Sequence, residues 1–237
     1  MARLEEELDW ELLGRCHCSE GGDAFFPPAQ REAVRDASLQ LASDLAVALA
    51  PAGAPPGDGC GRSVYVGAAL AELAPLLTER IVLGREVRAL NLANDETREL
   101  NRALGAVSRS LGLDLGAIET CGLPSLPSED FDHAWLVSVL TDPESFPALH
   151  DELYGREGTD LATGRGDLGQ DRRRVESLLD ALLDTLAPSF VLTTTDEELA
   201  LVLPACERRG FRLSVPDRAR LSAVVGDPVR ICRGERA

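Results

Sequence analysis

The stretch "FRLSVPDRARLSAVVGDPVRIC", residues 211–232, decides the fold class of this 237-residue chain. It holds three short apolar segments, "FRLSV", "RLSAVV" and "VRIC", which are separated only by "PDRA" and "GDP". Connectors this short permit antiparallel hairpins but leave no room for a crossover helix. The stretch therefore predicts antiparallel strands at the end of the sheet.

Upstream of this stretch, strand patterns alternate with helix patterns, apart from an irregular region at 142–171. The segments predicted as strands are 63–66, 86–92, 115–119, 134–140 and 189–195. Strands that alternate with helices through short connections form a mostly parallel sheet with helices on both faces. The predicted fold class is therefore α/β, with a doubly wound, mostly parallel sheet that ends in an antiparallel hairpin, and with a helical N-terminal extension.

The domain organisation follows from the Pro/Gly-rich segment "PAGAPPGDGCG" at residues 51–61. This segment can continue neither a helix nor a strand, whereas residues 3–13 and 29–50 before it carry the apolar spacing of helices. We therefore predict a helical N-terminal extension over residues 1–50, a linker over 51–61 and an α/β domain over 62–237.

The composition excludes several classes of partner. Forty acidic residues against 24 basic ones give a net charge of −16, which repels phosphate backbones and anionic bilayers. Nucleic acid and membrane surfaces are therefore not expected as partners. No apolar run reaches the roughly 20 residues that span a bilayer, and the acidic N-terminus lacks the pattern of a secretory signal. We expect a cytoplasmic protein with mostly reduced cysteines.

Cys16, His17 and Cys18 form the cluster "CHC", which has the residue types of a metal site. A zinc site needs about four ligands, usually in two spaced pairs, and the other four cysteines form no second pair. We therefore predict no metal site and expect the cluster to lie in a turn after a short helix.

The stretch "VYVGAALAEL", residues 64–73, has the form of a ligand-binding loop that follows the first strand. In open α/β sheets, ligands bind beyond the carboxyl ends of the strands, and Gly67 lies at such an end. A loop with one glycine and two alanines can present backbone N–H groups, but the G-x-G-x-x-G spacing of nicotinamide-dinucleotide enzymes is absent.

Residues 62–232 resemble the class I S-adenosylmethionine-dependent methyltransferases. The stretch "VYVGAALAEL" is similar to the first motif of the family, a strand followed by G-x-G-x-G, with Gly67, Ala69 and Ala71 at the glycine positions. The stretch "VRALNLANDE" is similar to the second strand of the family. That strand normally ends in an acidic residue that binds the ribose hydroxyls, and here Asn91 stands at this position.

Two later segments extend the resemblance. The stretch "ETCGLPSLPSEDFDHAW" carries Thr120 and Cys121 at the adenine-side positions, and residues 189–232 match the fifth strand, its helix and the closing hairpin. The resemblance implies a methyltransferase-like domain over residues 62–237, with S-adenosylmethionine as cofactor. The cofactor-binding residues that it implies are Tyr65, Gly67, Ala68, Ala69, Asn91, Leu92, Thr120 and Cys121.

Catalytic residues are difficult to identify by residue type, because methyl transfer needs mainly proximity and alignment, with a base only where the acceptor must lose a proton. Asp142, His150 and Tyr154 are the candidates. Asp142 lies in "TDPESF", where Thr141 and Glu144 also have the spacing of a helix-capping box.

The sequence leaves two functions open. The first is a methyltransferase-like protein that acts on a small molecule or on a protein partner. The alternative is a catalytically inactive protein of the same fold that serves as a scaffold or partner-binding module. A hydrolase with a nucleophile elbow is not expected, because the sequence contains no G-x-S-x-G.

Overall fold

A computed structural model describes six stretches of the chain, namely residues 1–17, 28–50, 61–120, 130–160, 162–222 and 226–237. The chain divides into two compact units. Unit 1 comprises Met1–Gly122 and Leu221–Gly226, and unit 2 comprises Leu123–Arg220 and Asp227–Ala237.

The N-terminal region of unit 1 is helical. It contains α1 (Ala2–Glu7), α2 (Trp10–His17) and α3 (Pro28–Leu49). The single helix predicted over residues 3–13 is wrong, because the side chain of Asp9 interrupts it. Its Oδ1 accepts hydrogen bonds from the backbone N–H groups of Glu11 and Leu12, at 3.1 and 3.0 Å, and so caps a new helix.

The strands of unit 1 form a parallel ladder in the order β3-β2-β1. They are β1 (Arg62–Val66), β2 (Glu86–Leu90) and β3 (Ile118–Glu119). Val66 pairs with Leu90, and Leu90 pairs with Glu119, so the three strands end at the same level. Their carboxyl ends therefore meet at one edge, which is the edge where α/β sheets bind ligands.

The connections between these strands are helical, as predicted. A 3₁₀ turn (Leu70–Glu72), α4 (Leu73–Leu77) and a π-helical turn (Thr78–Val82) join β1 to β2. Helix α5 (Asp95–Leu111) follows β2. Its predicted N-cap is confirmed, because Asn94 accepts a hydrogen bond from the backbone N–H of Thr97 at 2.8 Å.

The π-helical turn places Glu79 in the interior of unit 1. The carboxylate is fully buried and accepts hydrogen bonds from the hydroxyls of Ser63 and Tyr65 and, at 3.0 Å, from Nε of Arg85. Because a buried carboxylate is costly unless it is paired and hydrogen-bonded, these donors hold the turn against the face of β1.

Unit 2 contains four further strands and confirms the antiparallel ending. They are β4 (Phe131–Leu136), β5 (Leu186–Thr195), β6 (Phe211–Ser214) and β8 (Pro228–Arg236), whereas the short β7 (Arg220–Leu221) has Arg220 in unit 2 and Leu221 in unit 1. Strands β4 and β5 are parallel, whereas β8 lies between β5 and β6 and is antiparallel to both.

The helices of unit 2 are α6 (Pro147–Leu153), α7 (Leu168–Asp184) and α8 (Asp196–Arg208). The fourth strand ends at Leu136, so its predicted extent of 134–140 is wrong. The chain turns there because Ser138 has a left-handed backbone with φ 57°. The region 142–171 was predicted to be irregular, but it contains all of α6 and the start of α7.

The fold class is confirmed, with a mostly parallel sheet, an antiparallel ending and helices at the N-terminus. Most of the predicted linker lies outside the described residues, and the division into 1–50, 51–61 and 62–237 stays a prediction. Within the described stretches, no helix has both the length and the apolar character needed to cross a membrane.

Candidate functional site

The loop after β1 is built around Gly67, whose φ is 74°. Side chains other than glycine are strained in this left-handed conformation, so glycine is the residue that lets β1 turn here. The next residue, Ala68, is fully buried, and its backbone N–H donates to the carbonyl of Leu90 at 2.9 Å. This bond fastens the loop to the end of β2.

Asn91 lies next to this loop, directly after β2. Its Nδ2 donates to the carbonyl oxygen of Ala68 at 2.9 Å, and its Oδ1 accepts from the backbone N–H of Leu92 at 2.8 Å. A primary amide has two donors and two acceptor lone pairs. Asn91 therefore braces the loop and still has one N–H and one lone pair that a ligand hydroxyl can use.

Two further residues named from the sequence lie near the carboxyl ends of β2 and β3. Leu92 is 65% exposed, although it is a large apolar side chain. Thr120 follows β3 and is exposed. Cys121 lies outside the described residues. An exposed leucine beside a polar amide offers a flat ligand an apolar contact next to a hydrogen-bonding group.

Tyr65 occupies a different environment. Its side chain is fully buried and its hydroxyl donates to Oε1 of Glu79 at 2.5 Å. Burial, reinforced by the negative charge of Glu79, raises the pKa of Tyr65 well above its ordinary value. The phenol is thus part of the interior of unit 1, and only the backbone of Tyr65 can serve a ligand at the loop.

Two carboxylates that were not predicted from the sequence bind the loop. The backbone N–H of Ala69 donates to Oε2 of Glu72 at 3.0 Å, and that of Leu70 donates to Oε1 of Glu96 at 3.2 Å. Both glutamates are buried. The bond of Glu72 has the spacing of one half of a capping box, but alanine has no side-chain acceptor for the other half, so no sign of it was visible in the sequence. No local pattern indicates Glu96, which reaches the loop from the first turn of α5.

The three candidate bases all lie in unit 2, and each has a bonding partner. Asp142 accepts hydrogen bonds at Oδ1 from the backbone N–H groups of Glu144 and Ser145, at 2.8 and 2.7 Å. Asp142 therefore caps the turn that leads to α6. This role was expected for Thr141, whose buried hydroxyl is hydrogen-bonded to Tyr154 instead.

The hydrogen bonds of His150 indicate which of its ring nitrogens carries the hydrogen. Its Nδ1 lies 2.6 Å from the carbonyl oxygen of Thr141, and its Nε2 lies 2.8 Å from Nη1 of Arg156. A carbonyl only accepts and a guanidinium only donates, so Nδ1 carries the proton and Nε2 presents its lone pair to Arg156. The lone pair that a general base would use is therefore already bonded.

The hydroxyl of Tyr154 is also hydrogen-bonded within the protein. Its hydroxyl donates to Oδ2 of Asp227 at 2.7 Å, and its ring centroid lies 4.7 Å from that of His150. Burial, together with the hydrogen bond to Asp227, raises the pKa of Tyr154. The phenol therefore stays protonated at neutral pH and is not a base.

Glu198 holds the turn after β4. It is fully buried, and its Oε1 accepts from the backbone N–H groups of Val139 and Leu140 at 2.7 and 2.8 Å. Its Oε2 accepts from the hydroxyl of Thr194 at 3.0 Å and from the backbone N–H of Thr195 at 3.3 Å, and the second of these bonds belongs to the predicted capping box. Burial raises the pKa of Glu198 to about 7, although these hydrogen bonds act in the opposite direction.

The cluster at Cys16–Cys18 is only partly described. Cys16 is an exposed free cysteine at the end of α2, whereas Cys18 and the side chain of His17 lie outside the described residues. Among the described residues, no three His, Cys, Asp or Glu side chains are grouped so that they could hold a metal ion.

No family model and no curated protein matches this sequence. Several solved structures are similar in fold. Magnesium protoporphyrin IX methyltransferase from Synechocystis PCC 6803, solved with bound SAM, matches with a TM-score of 0.55 and 13% identity, over 91% of this chain and 87% of its own.

Two further structures match at similar levels. A SAM-dependent O-methyltransferase from Thermotoga maritima has a TM-score of 0.50 and 12% identity over 84% of this chain. TYW2 from P. horikoshii, in complex with MeSAdo, has a TM-score of 0.51 and 11% identity over 90% of this chain. The match spans 65% of the length of each of these two proteins. Identities this low show the fold alone, so this chain has a class I S-adenosylmethionine-dependent methyltransferase-like fold.

Proposed function

We propose that this protein binds S-adenosylmethionine at the carboxyl edge of β1–β3 and transfers its methyl group to a small molecule or to a protein partner. One observation carries the proposal. The Gly67 loop, the amide of Asn91 and the exposed Leu92 stand together at the edge where the strands of unit 1 end.

The residues at this edge fit an adenosyl group. Asn91 keeps one donor and one acceptor, which matches the pair of hydroxyls on a ribose. Leu92 provides apolar surface for a flat base, and Thr120 adds a hydroxyl near the end of β3. An amide in place of a carboxylate gives up the stronger, charge-assisted hydrogen bond to the ribose, so we expect micromolar affinity rather than tighter binding.

The cofactor supplies a methyl group that is activated by a positively charged sulfur. The chain supplies binding and orientation, which are the main requirements of such a transfer. Since Asp142, His150 and Tyr154 are engaged in local structure, the acceptor that fits this protein best is a group that is nucleophilic without loss of a proton to a side chain.

The same bonding of the three candidates supports the second function, a methyltransferase-fold scaffold without chemistry. His150 gives the strongest support, because its Nε2 already accepts from Arg156 at 2.8 Å. The two functions differ in what they require of the Gly67 loop. An enzyme must bind the cofactor there, whereas a scaffold has no such requirement.

Calorimetric titration of the full chain with S-adenosylmethionine and with S-adenosylhomocysteine tests the proposal. We expect micromolar binding by the wild-type protein and at least about tenfold weaker binding by Asn91→Ala and Gly67→Val. Asn101→Ala is the matched control for Asn91→Ala, because Asn101 also bonds backbone groups, at Ile118, but lies on α5.

Two results would count against the proposal. The absence of any heat of binding with either compound from a folded wild-type protein would count against the enzyme. An equal loss of affinity in Asn91→Ala and Asn101→Ala would count against a binding site at Asn91, because it would trace the effect to general destabilisation. The first result would favour the scaffold.

A further inference from the structure

The helices α1 and α2 form a short helix pair that packs against α5. They have six and eight residues, and isolated helices shorter than about 12 residues are marginally stable in water. Three buried leucines, Leu4, Leu8 and Leu13, supply apolar contacts of the pair. The pair is therefore helical because it is docked on the rest of unit 1, and a modest change in free energy can shift its docking.

Polar contacts attach the start of α2 to the second turn of α5. The backbone N–H of Asp9 donates to Oε1 of Glu99 at 2.7 Å. Arg102 donates to the carbonyl oxygen of Glu7, and its Nε donates to Oε2 of Glu99 at 2.8 Å. Because Arg102 bonds both the helix pair and Glu99, its side chain is a point at which the docking can be weakened away from the Gly67 loop.

The end of α2 is attached to the first turn of α5. The backbone N–H of Glu96 donates to the thiol of Cys16, which is an exposed free cysteine. The carboxylate of the same glutamate accepts from the backbone N–H of Leu70, at 3.2 Å, in the Gly67 loop. Glu96 therefore bonds α2 through its backbone and the loop through its side chain. The helix pair and the loop are thus joined through one residue, on a helix that begins shortly after Asn91.

We infer that docking of the helix pair α1–α2 on α5 and binding of the cofactor at the Gly67 loop stabilise each other. The inference rests on the proposed function and goes beyond it, because it assigns a role to two helices that lie outside the proposed binding residues. Contacts that order the first turn of α5 also order the loop, so a ligand that needs the ordered loop favours the docked pair. Such coupling is reciprocal, so a variant that loosens the pair also weakens the binding of the ligand.

Alkylation of Cys16 by N-ethylmaleimide measures the docking of α2 in the full chain. Tryptic cleavage after Arg15 and Arg31 releases Cys16 and Cys18 in one peptide, and its fragment ions in mass spectrometry separate the two thiols. We expect saturating S-adenosylhomocysteine to slow the alkylation of Cys16 by at least about fivefold. Methionine at the same concentration is the control, because it lacks the adenosyl group, and it should leave the rate unchanged.

The variant Arg102→Ala tests the coupling from the side of the helix pair. It removes the bonds to Glu7 and Glu99, so we expect faster alkylation of Cys16 without ligand and at least about threefold weaker binding of S-adenosylhomocysteine in calorimetry. Arg109→Ala is the matched control, because Arg109 lies on the same helix, is exposed and carries the same charge. It should change neither the rate nor the affinity.

The possible outcomes separate this inference from the proposed function. If wild-type protein binds neither S-adenosylmethionine nor S-adenosylhomocysteine, both are overturned. If it binds them, but Cys16 is alkylated at the same rate with and without ligand, only the inference is overturned. Equal protection of the buried Cys206 in unit 2 would also overturn it, because the effect would then be general stabilisation. So would wild-type affinity in Arg102→Ala, or an equal loss of affinity in Arg109→Ala, which would indicate an effect of net charge.

Discussion

Replacement of Glu198 by glutamine should change how the stability of the protein depends on pH. Glu198 is fully buried, and burial raises its pKa from about 4.5 in an exposed setting to about 7 in the folded protein. The folded state therefore holds a proton on Glu198 at pH values where the unfolded chain has released it. Stability from this group is fully present below pH 4.5 and is lost as pH rises to about 7.

The size of the effect follows from the two pKa values. Each unit of difference corresponds to about 1.4 kcal/mol, so the change across the whole window is about 3 kcal/mol. Of this, about 2 kcal/mol falls between about pH 5 and about pH 7.5, where the protein can be studied without strong acid. Glutamine cannot ionise, so the Glu198→Gln variant lacks this component.

The assay is urea unfolding at a series of pH values, followed by circular dichroism. We expect the free energy of unfolding of wild-type protein, relative to Glu198→Gln, to fall by about 2 kcal/mol from about pH 5 to about pH 7.5. Glu207→Gln is the matched control, because Glu207 lies on the same helix and is exposed. Parallel curves for wild type and Glu198→Gln would refute the reasoning.

Two further predictions concern stability. The Ser138→Gly variant should have a free energy of unfolding about 1 kcal/mol higher than that of Ser138→Ala. Both changes remove the hydroxyl, but only glycine adopts the left-handed backbone of this position without strain. Equal stabilities of the two variants would contradict this prediction. Glu79→Ala should lower the free energy of unfolding, measured with urea, by about 3–5 kcal/mol, because it leaves Arg85 buried without its carboxylate. A loss below about 1 kcal/mol would show that the Glu79–Arg85 pair adds little.

Much of the fold could be predicted from the sequence because the signals are local. Asn94 caps α5 through a hydrogen bond to a residue three positions ahead, and Thr195 and Glu198 form their capping box over the same distance. The short connectors in residues 211–232 likewise limit the strand directions by length alone. Each of these signals operates within one turn or one loop.

The predicted helix over 3–13 and the predicted strand over 134–140 are wrong because another contact outweighs the local sequence pattern. Leu4, Leu8 and Leu12 have unbroken helical spacing, yet the helix ends before Asp9, because a capping side chain competes with continuation of the helix. The apolar run 134–140 gives no sign that Ser138 turns out of the strand. This turn depends on Glu198, a residue far along the chain that binds the following N–H groups.

At the candidate site, the loop and its neighbour could be predicted from the sequence, but their hydrogen bonds could not. The positions of Gly67 and Asn91 follow from where strands end. The contacts of Glu72 and Glu96 depend on how the 3₁₀ turn and α5 approach the loop, which no spacing specifies. The bonds of these two glutamates to the loop are therefore evident only in three dimensions.

Strand β8 has a consequence for biosynthesis. It lies between β5 and β6, with Ser189 opposite Glu235 and Phe211 opposite Arg236. While the ribosome is still translating residues 228–236, β5 lacks its antiparallel neighbour and presents open N–H and C=O groups to other nascent chains. We therefore expect that a nascent chain stalled before this segment exposes an unpaired strand edge that can bind other chains, and that pairing of β8 with β5 covers this edge.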